Sequence, residues 1–156
     1  MKKVTLLLVT LLIGGMMFSG CKKDQPTPTT KTVKIAYKVD NNQPGMGTAS
    51  DCFTYTISYV GANGKLVTVN NIKLPWTSPE FDVTLPFDAK IEGNAIFNEA
   101  ELPDQVVFRS IRTIYVNSGQ YTDGTLSFLS KDRFLEEYAA NPDLLKFNFS
   151  KTLEAN

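Results

Sequence analysis

Phe53-Thr54-Tyr55-Thr56-Ile57-Ser58-Tyr59, with Gly61-Ala62-Asn63-Gly64 close behind it, is the stretch that decides the fold. Phe53, Tyr55, Ile57 and Tyr59 occupy every second position and hydroxyl residues fill the places between. An extended chain therefore puts the four large side chains on one face and Thr54, Thr56 and Ser58 on the other. The two glycines and the asparagine of the following segment supply the positive-φ residues that a tight turn needs. The next strand, starting near Lys65, is expected to return antiparallel to the first.

The same period of two runs outward in both directions. Upstream, Val33, Ile35, Tyr37 and Val39 alternate with Lys34, Ala36, Lys38 and Asp40. Downstream, Val67 and Val69 share one parity and Ile72 and Leu74 the other, so a bulge or break is expected at Asn70-Asn71. Pro75 and Pro79 bracket Trp76 and predict a crossing between sheets that takes no part in a ladder. Phe81, Val83 and Leu85 form a short strand, and Ile91, Gly93, Ala95 and Phe97 another. Residues 106–116 are apolar at both parities in places, as a central strand would be. Residues 121–129 read as a strand interrupted at Asp123-Gly124.

After Ser130 the period changes. Ser130 is placed to cap a helix over residues 131–140, Phe134, Leu135 and Tyr138 share one face, and Asn141-Pro142 stops it. Leu145, Phe147 and Phe149 then return to alternation. Seven or eight short strands and one short C-terminal helix predict a mainly all-β fold over residues 33–156. The expected architecture is an antiparallel β-sandwich of immunoglobulin-like or transthyretin-like kind.

Ahead of the sandwich lies a different kind of sequence. Lys2 and Lys3 precede an apolar run over residues 4–18, short for a bilayer span and right for a secretory signal. The run ends in Phe18-Ser19-Gly20-Cys21. This ending resembles the bacterial lipobox, although Phe18 stands where that pattern prefers leucine. The resemblance implies a signal peptide over residues 1–20 and a diacylglyceryl group on Cys21. Residues 21–32 are polar and carry Pro26 and Pro28. They read as the lipidated cysteine and a flexible tether, roughly 30 Å long at about 3.1 Å per residue.

Composition narrows the chemistry. Lys plus Arg and Asp plus Glu number 16 each, and the loss of Lys2 and Lys3 with the signal leaves a slight acidic excess. A nucleic-acid partner is not expected from that balance. The chain has no histidine, which removes Ser-His-Asp and Cys-His nucleophile pairs and the commonest zinc and copper ligand sets. Lipidation of Cys21 leaves Cys52 as the remaining thiol, read as a small hydrophobe entering a strand, with a reactive or intermolecular thiol as the alternative. Trp76, the single tryptophan, reads either as a platform for a ligand or partner or as a plug in the core. Glu99, Glu101 and Asp104 form an acidic loop without a recognisable calcium spacing. Glu80, Asp82, Asp88 and Glu92 are the other carboxylates a glycosidase pair would draw on. No catalytic residue, metal site or cofactor is expected.

The order Tyr37-Lys38-Val39, Ile57-Ser58-Tyr59 and Asn71-Ile72-Lys73-Leu74-Pro75-Trp76 resembles the small β-sandwich of the MmpS-type membrane proteins over about half of the mature chain. Those proteins are accessory partners of lipid-exporting transporters. They carry a transmembrane anchor where this chain has its lipobox-like ending, and a cysteine pair where it has Cys52. The lipobox, tether and small β domain together resemble lipoproteins of Bacteroidetes, some of which carry a charged triplet like Lys22-Lys23-Asp24 as a surface-routing signal. These resemblances imply a lipid anchor at the outer membrane, on the periplasmic side or the cell surface. The expected role is a non-enzymatic binding or accessory module with a protein or glycan partner. A structural or adhesive surface subunit is the alternative, and a carboxylate-based glycan hydrolase comes third.

Overall fold

The computed structural model describes residues 30–41 and 51–155. The expected signal peptide, Cys21 and most of the expected tether lie outside the described residues, as does the stretch 42–50. Among the described residues the chain forms nine strands: β1 Thr32–Asp40, β2 Phe53–Val60, β3 Leu66–Ile72, β4 Trp76–Thr77, β5 Phe81–Thr84, β6 Phe87–Phe97, β7 Gln105–Val116, β8 Gly119–Ser130 and β9 Lys146–Leu153. One α-helix, α1, spans Lys131–Ala140, and single 3-10 turns cover Glu99–Glu101 and Pro142–Leu145.

The strands make two antiparallel sheets. In the first, β4 and β5 lie beside β1, followed by β7 and β8; in the second the order is β3-β2-β6-β9. The molecule is the antiparallel sandwich with one short helix that the alternation predicts. β1 and β2 belong to different sheets, and so do β3 and β4, so the chain passes repeatedly between layers.

Local chemistry explains the elements. Gly61 N–H donates to the Lys65 carbonyl at 2.8 Å and Gly64 takes φ +72°, closing the β2–β3 hairpin. Across that hairpin Tyr55 faces Ile72 but Ile57 faces Val69, so β3 holds one extra residue, and Asn71 sits at φ +57°. This is the bulge that the parity change at Asn70-Asn71 requires. Ser130 caps α1 by accepting from the Arg133 N–H, and Asn141 ends it.

The odd-numbered residues of β1 and β2 are buried and the even-numbered ones are not, as the pleat demands. Two aromatic groups fill the space between the sheets. Tyr37, Tyr59, Trp76 and Phe81 gather where β3, β4 and β5 cross from one layer to the other, with Tyr37 and Tyr59 ring centres 5.2 Å apart. Under α1, Phe134 meets Phe53 at 5.9 Å and Phe97 at 5.1 Å, while Phe53 meets Phe108 at 5.2 Å. Each fully buried ring of this size contributes about 1.5–3 kcal/mol.

Three expectations need correction. β8 runs unbroken through Asp123-Gly124, because Asp123 faces Arg112 across the ladder and Gly124 pairs with Ile111. Trp76 does join a ladder: it pairs with Val39 of β1 in a two-residue strand, directly after Pro75. That strand brings the number of strands to nine, above the seven or eight expected. β7 is central, as expected, yet its inward row includes a buried charge.

Arg112 is 3% exposed. It donates to the Ser110 carbonyl at 2.8 Å, to Thr125 Oγ1 at 2.9 Å and to the Asp123 carboxylate, and its guanidinium lies over the Phe147 ring, 5.6 Å from the centroid. Phe147 in turn lies against Gly93, where a Cβ would come within 2.4 Å of the ring and 2.7 Å of the Thr56 carbonyl. Gly93 thus makes room for the ring that seats the arginine.

Burial works against the Asp123 carboxylate, but the Arg112 guanidinium outweighs it and holds the carboxyl below its ordinary value. A depressed carboxyl stabilises the fold above its unfolded value and loses that contribution as pH falls through the folded value. Wild type should therefore lose melting temperature between about pH 5 and pH 2 more steeply than Asp123→Asn, measured by circular dichroism. Gly93→Ala should cost about 1–3 kcal/mol in urea unfolding, since the added methyl meets both a ring and a backbone carbonyl.

Candidate functional site

The outward row of β2 is the hydroxyl row of the founding stretch. Register carries it across the second sheet: Thr56 pairs with Asn94 of β6, which pairs with Lys146 of β9, and Ser58 pairs with Glu92, which pairs with Asn148. Two polar rungs two residues apart along each strand, some 6.8 Å, result. They line a groove of about 470 Å³ together with Gly93 and Phe147. Bonds to β3 extend both rungs, with Ser58 Oγ and Thr68 Oγ1 2.8 Å apart and Thr56 Oγ1 donating to Asn70 Oδ1 at 3.2 Å.

The groove is electrically balanced. Glu92 is met by Lys90 at 2.6 Å and Lys146 by Asp143 at 2.7 Å. Amides and hydroxyls of Asn94, Asn148, Thr56 and Ser58 supply both donors and acceptors at the surface. Such a lining suits a neutral polar ligand rich in hydroxyl or amide groups. Behind it the floor is stiff, since Phe147 is clamped between Gly93 and Arg112.

The residues singled out from sequence lie elsewhere. Trp76 is partly buried, its ring 5.6 Å from that of Tyr59. Cys52 is a half-buried free thiol packed against the core, and it lines a smaller hollow of about 280 Å³ with Phe97, Asn98 and Glu101. Burial pushes its thiol up, away from the reactive thiolate. Cys21 is outside the described residues.

The carboxylates are dispersed among partners. Glu80 and Asp82 share Lys34 at 3.3 and 3.5 Å, and Asp88 accepts from Thr152 at 2.7 Å. Glu101 accepts from Asn98 at 3.0 Å within the Glu99–Glu101 turn, and Lys131 bonds the Glu99 and Asp104 backbone carbonyls through Nζ and N–H. Among the described residues no three His, Cys, Asp or Glu side chains gather as a metal site would need. Of the expected carboxylates the groove takes in Glu92 alone.

Sequence reading passed over Asn94, Lys146 and Asn148. Their signal was parity: each lies on the outward row of its strand, but only the register shows that three outward rows meet. Compared with known proteins, the chain matches no family model, and no curated protein is similar enough to count as a relative.

Trp76 reports on its own flank. Its emission should lie to the blue of free tryptophan and be quenched by acrylamide less than that of a model indole, as packing on Tyr59 requires. Emission matching the free indole would place the ring in solvent.

Proposed function

We propose that the protein is a lipid-anchored, non-enzymatic binding or accessory module of the cell envelope. Ser19-Gly20-Cys21 at the end of the apolar run carries the reading. A diacylglyceryl group on Cys21 holds the sandwich to the outer membrane, and a protein or glycan partner is met through the polar groove of the second sheet. Two acyl chains anchor stably where one holds only marginally.

The groove supports the binding role. Its side chains stand on three hydrogen-bonded strands rather than on loops, so a ligand meets donors and acceptors already in place. The carboxylates support a role without catalysis, since Glu80, Asp82 and Glu92 each stand beside a lysine.

A fatty-acid analogue fed to cells should label the protein, and Cys21→Ser should abolish the label and release the chain from membranes. Full membrane association of that variant would overturn the anchor. Incubated with a panel of envelope glycans, the full chain should leave them intact. Release of new reducing ends, lost in Glu92→Gln, would replace the binding module with a hydrolase.

A further inference from the structure

Among the described residues the two sheets have four edges, and three are guarded. β3 carries the bulge at Asn70-Asn71 and is flanked by Lys65 and Lys73. Beside β1, β4 and β5 are only two and four residues long and are set among Pro75, Pro79 and Pro86. β9 carries Lys146 and Lys151. Short strands, bulges, prolines and lysines keep an edge from pairing with another chain. β8 is different: its twelve residues include no Lys, Arg or Pro, and among the described residues it pairs with β7 alone. Its single charge, Asp123, is directed onto Arg112.

The outward row of this edge carries two large apolar side chains. Leu126 is 46% exposed and Phe128 is 65% exposed, the highest of the large hydrophobic side chains among the described residues. Register puts Phe128 beside Val107 of β7.

We infer that β8 is the contact surface for a second copy of this chain, added antiparallel along the edge across a two-fold axis at Ser127. In that register Ser127 faces itself and Leu126 of each copy faces Phe128 of the other, giving two aliphatic–aromatic cross-strand pairs on one face. Thr125 faces Leu129 and Gly124 faces Ser130. A two-fold contact needs a surface complementary to itself, and this register supplies one. Centred on Leu126 instead, Leu126 would face itself and Phe128 would face Gly124, losing both cross-strand pairs.

The full chain in detergent, and its Cys21→Ser variant, should sediment as a dimer whose dissociation on dilution is seen in both. In hydrogen exchange of the unmodified chain, the amides of residues 124–130 that point away from β7 should exchange at least tenfold more slowly at high concentration than at low. Phe128→Lys and the milder Leu126→Thr/Phe128→Thr should each weaken association at least tenfold with the far-ultraviolet spectrum unchanged. A monomer at all concentrations would overturn the inference. So would a dimer that survives Phe128→Lys, or exchange at 124–130 that is insensitive to dilution.

Discussion

The sandwich depends on one constraint: side chains of a strand point alternately to its two faces, and one face of each sheet must leave water against the other. Cys52 is a free thiol, so the two layers are held by burial. Tyr37, Phe53, Phe108 and Phe134 are each 2% exposed or less and come from both layers and the helix. Phe53 meets Phe108 and Phe134 edge-on, an arrangement that aromatic quadrupoles favour. Burial pushes the phenols of Tyr37 and Tyr55 up, as a dry interior must. The Tyr37 hydroxyl still finds a partner, donating to the Val60 carbonyl at 3.0 Å.

The same alternation frees the opposite face. Because Phe53, Tyr55, Ile57 and Tyr59 satisfy the core, Thr54, Thr56 and Ser58 need only suit water and their neighbours. The polar groove is therefore built on the back of the core strands and inherits their rigidity. Gly93 links the two sides. Its missing side chain lets Phe147 lie close to the sheet under the groove, and that ring carries Arg112 on its inner side.

Most of the architecture was legible because period two is a strong local signal. The bulge at Asn70-Asn71 and the limits of α1 could be read from parity and caps alone, since both are settled within a few residues. Arg112 could not. Its position on the inward row of β7 marks it for burial, but its acceptability depends on Asp123, eleven residues away across the turn, and on Phe147 in the other sheet. The same blindness made Asp123-Gly124 look like an interruption. Taken alone, a charge next to glycine breaks a strand; placed opposite an arginine, it completes one. The groove was hidden for a related reason, because it is assembled from three strands whose pairing no short stretch of sequence encodes.

The register also fixes which end of the domain the chain enters. Thr32 opens β1 opposite Thr84, and the Lys31 carbonyl accepts from the Leu85 N–H at 2.9 Å. Leu153 lies opposite Phe87, and the β7–β8 turn closes against the same end, where Val116, Tyr121 and Leu153 line one hollow with Lys31. The helix follows the far end of β8. A twelve-residue strand at 3.4 Å per residue is about 40 Å long, and the eleven steps from Cys21 to Thr32 reach about 36–40 Å when fully extended. An anchor on Cys21 would leave α1 as the far tip and the groove on the flank of the second sheet. The edge of β8 runs from that entry end to the tip on the side shared with β9, so an antiparallel pair joined over residues 124–130 would meet tip to tip, with the two entry ends pointing in opposite directions.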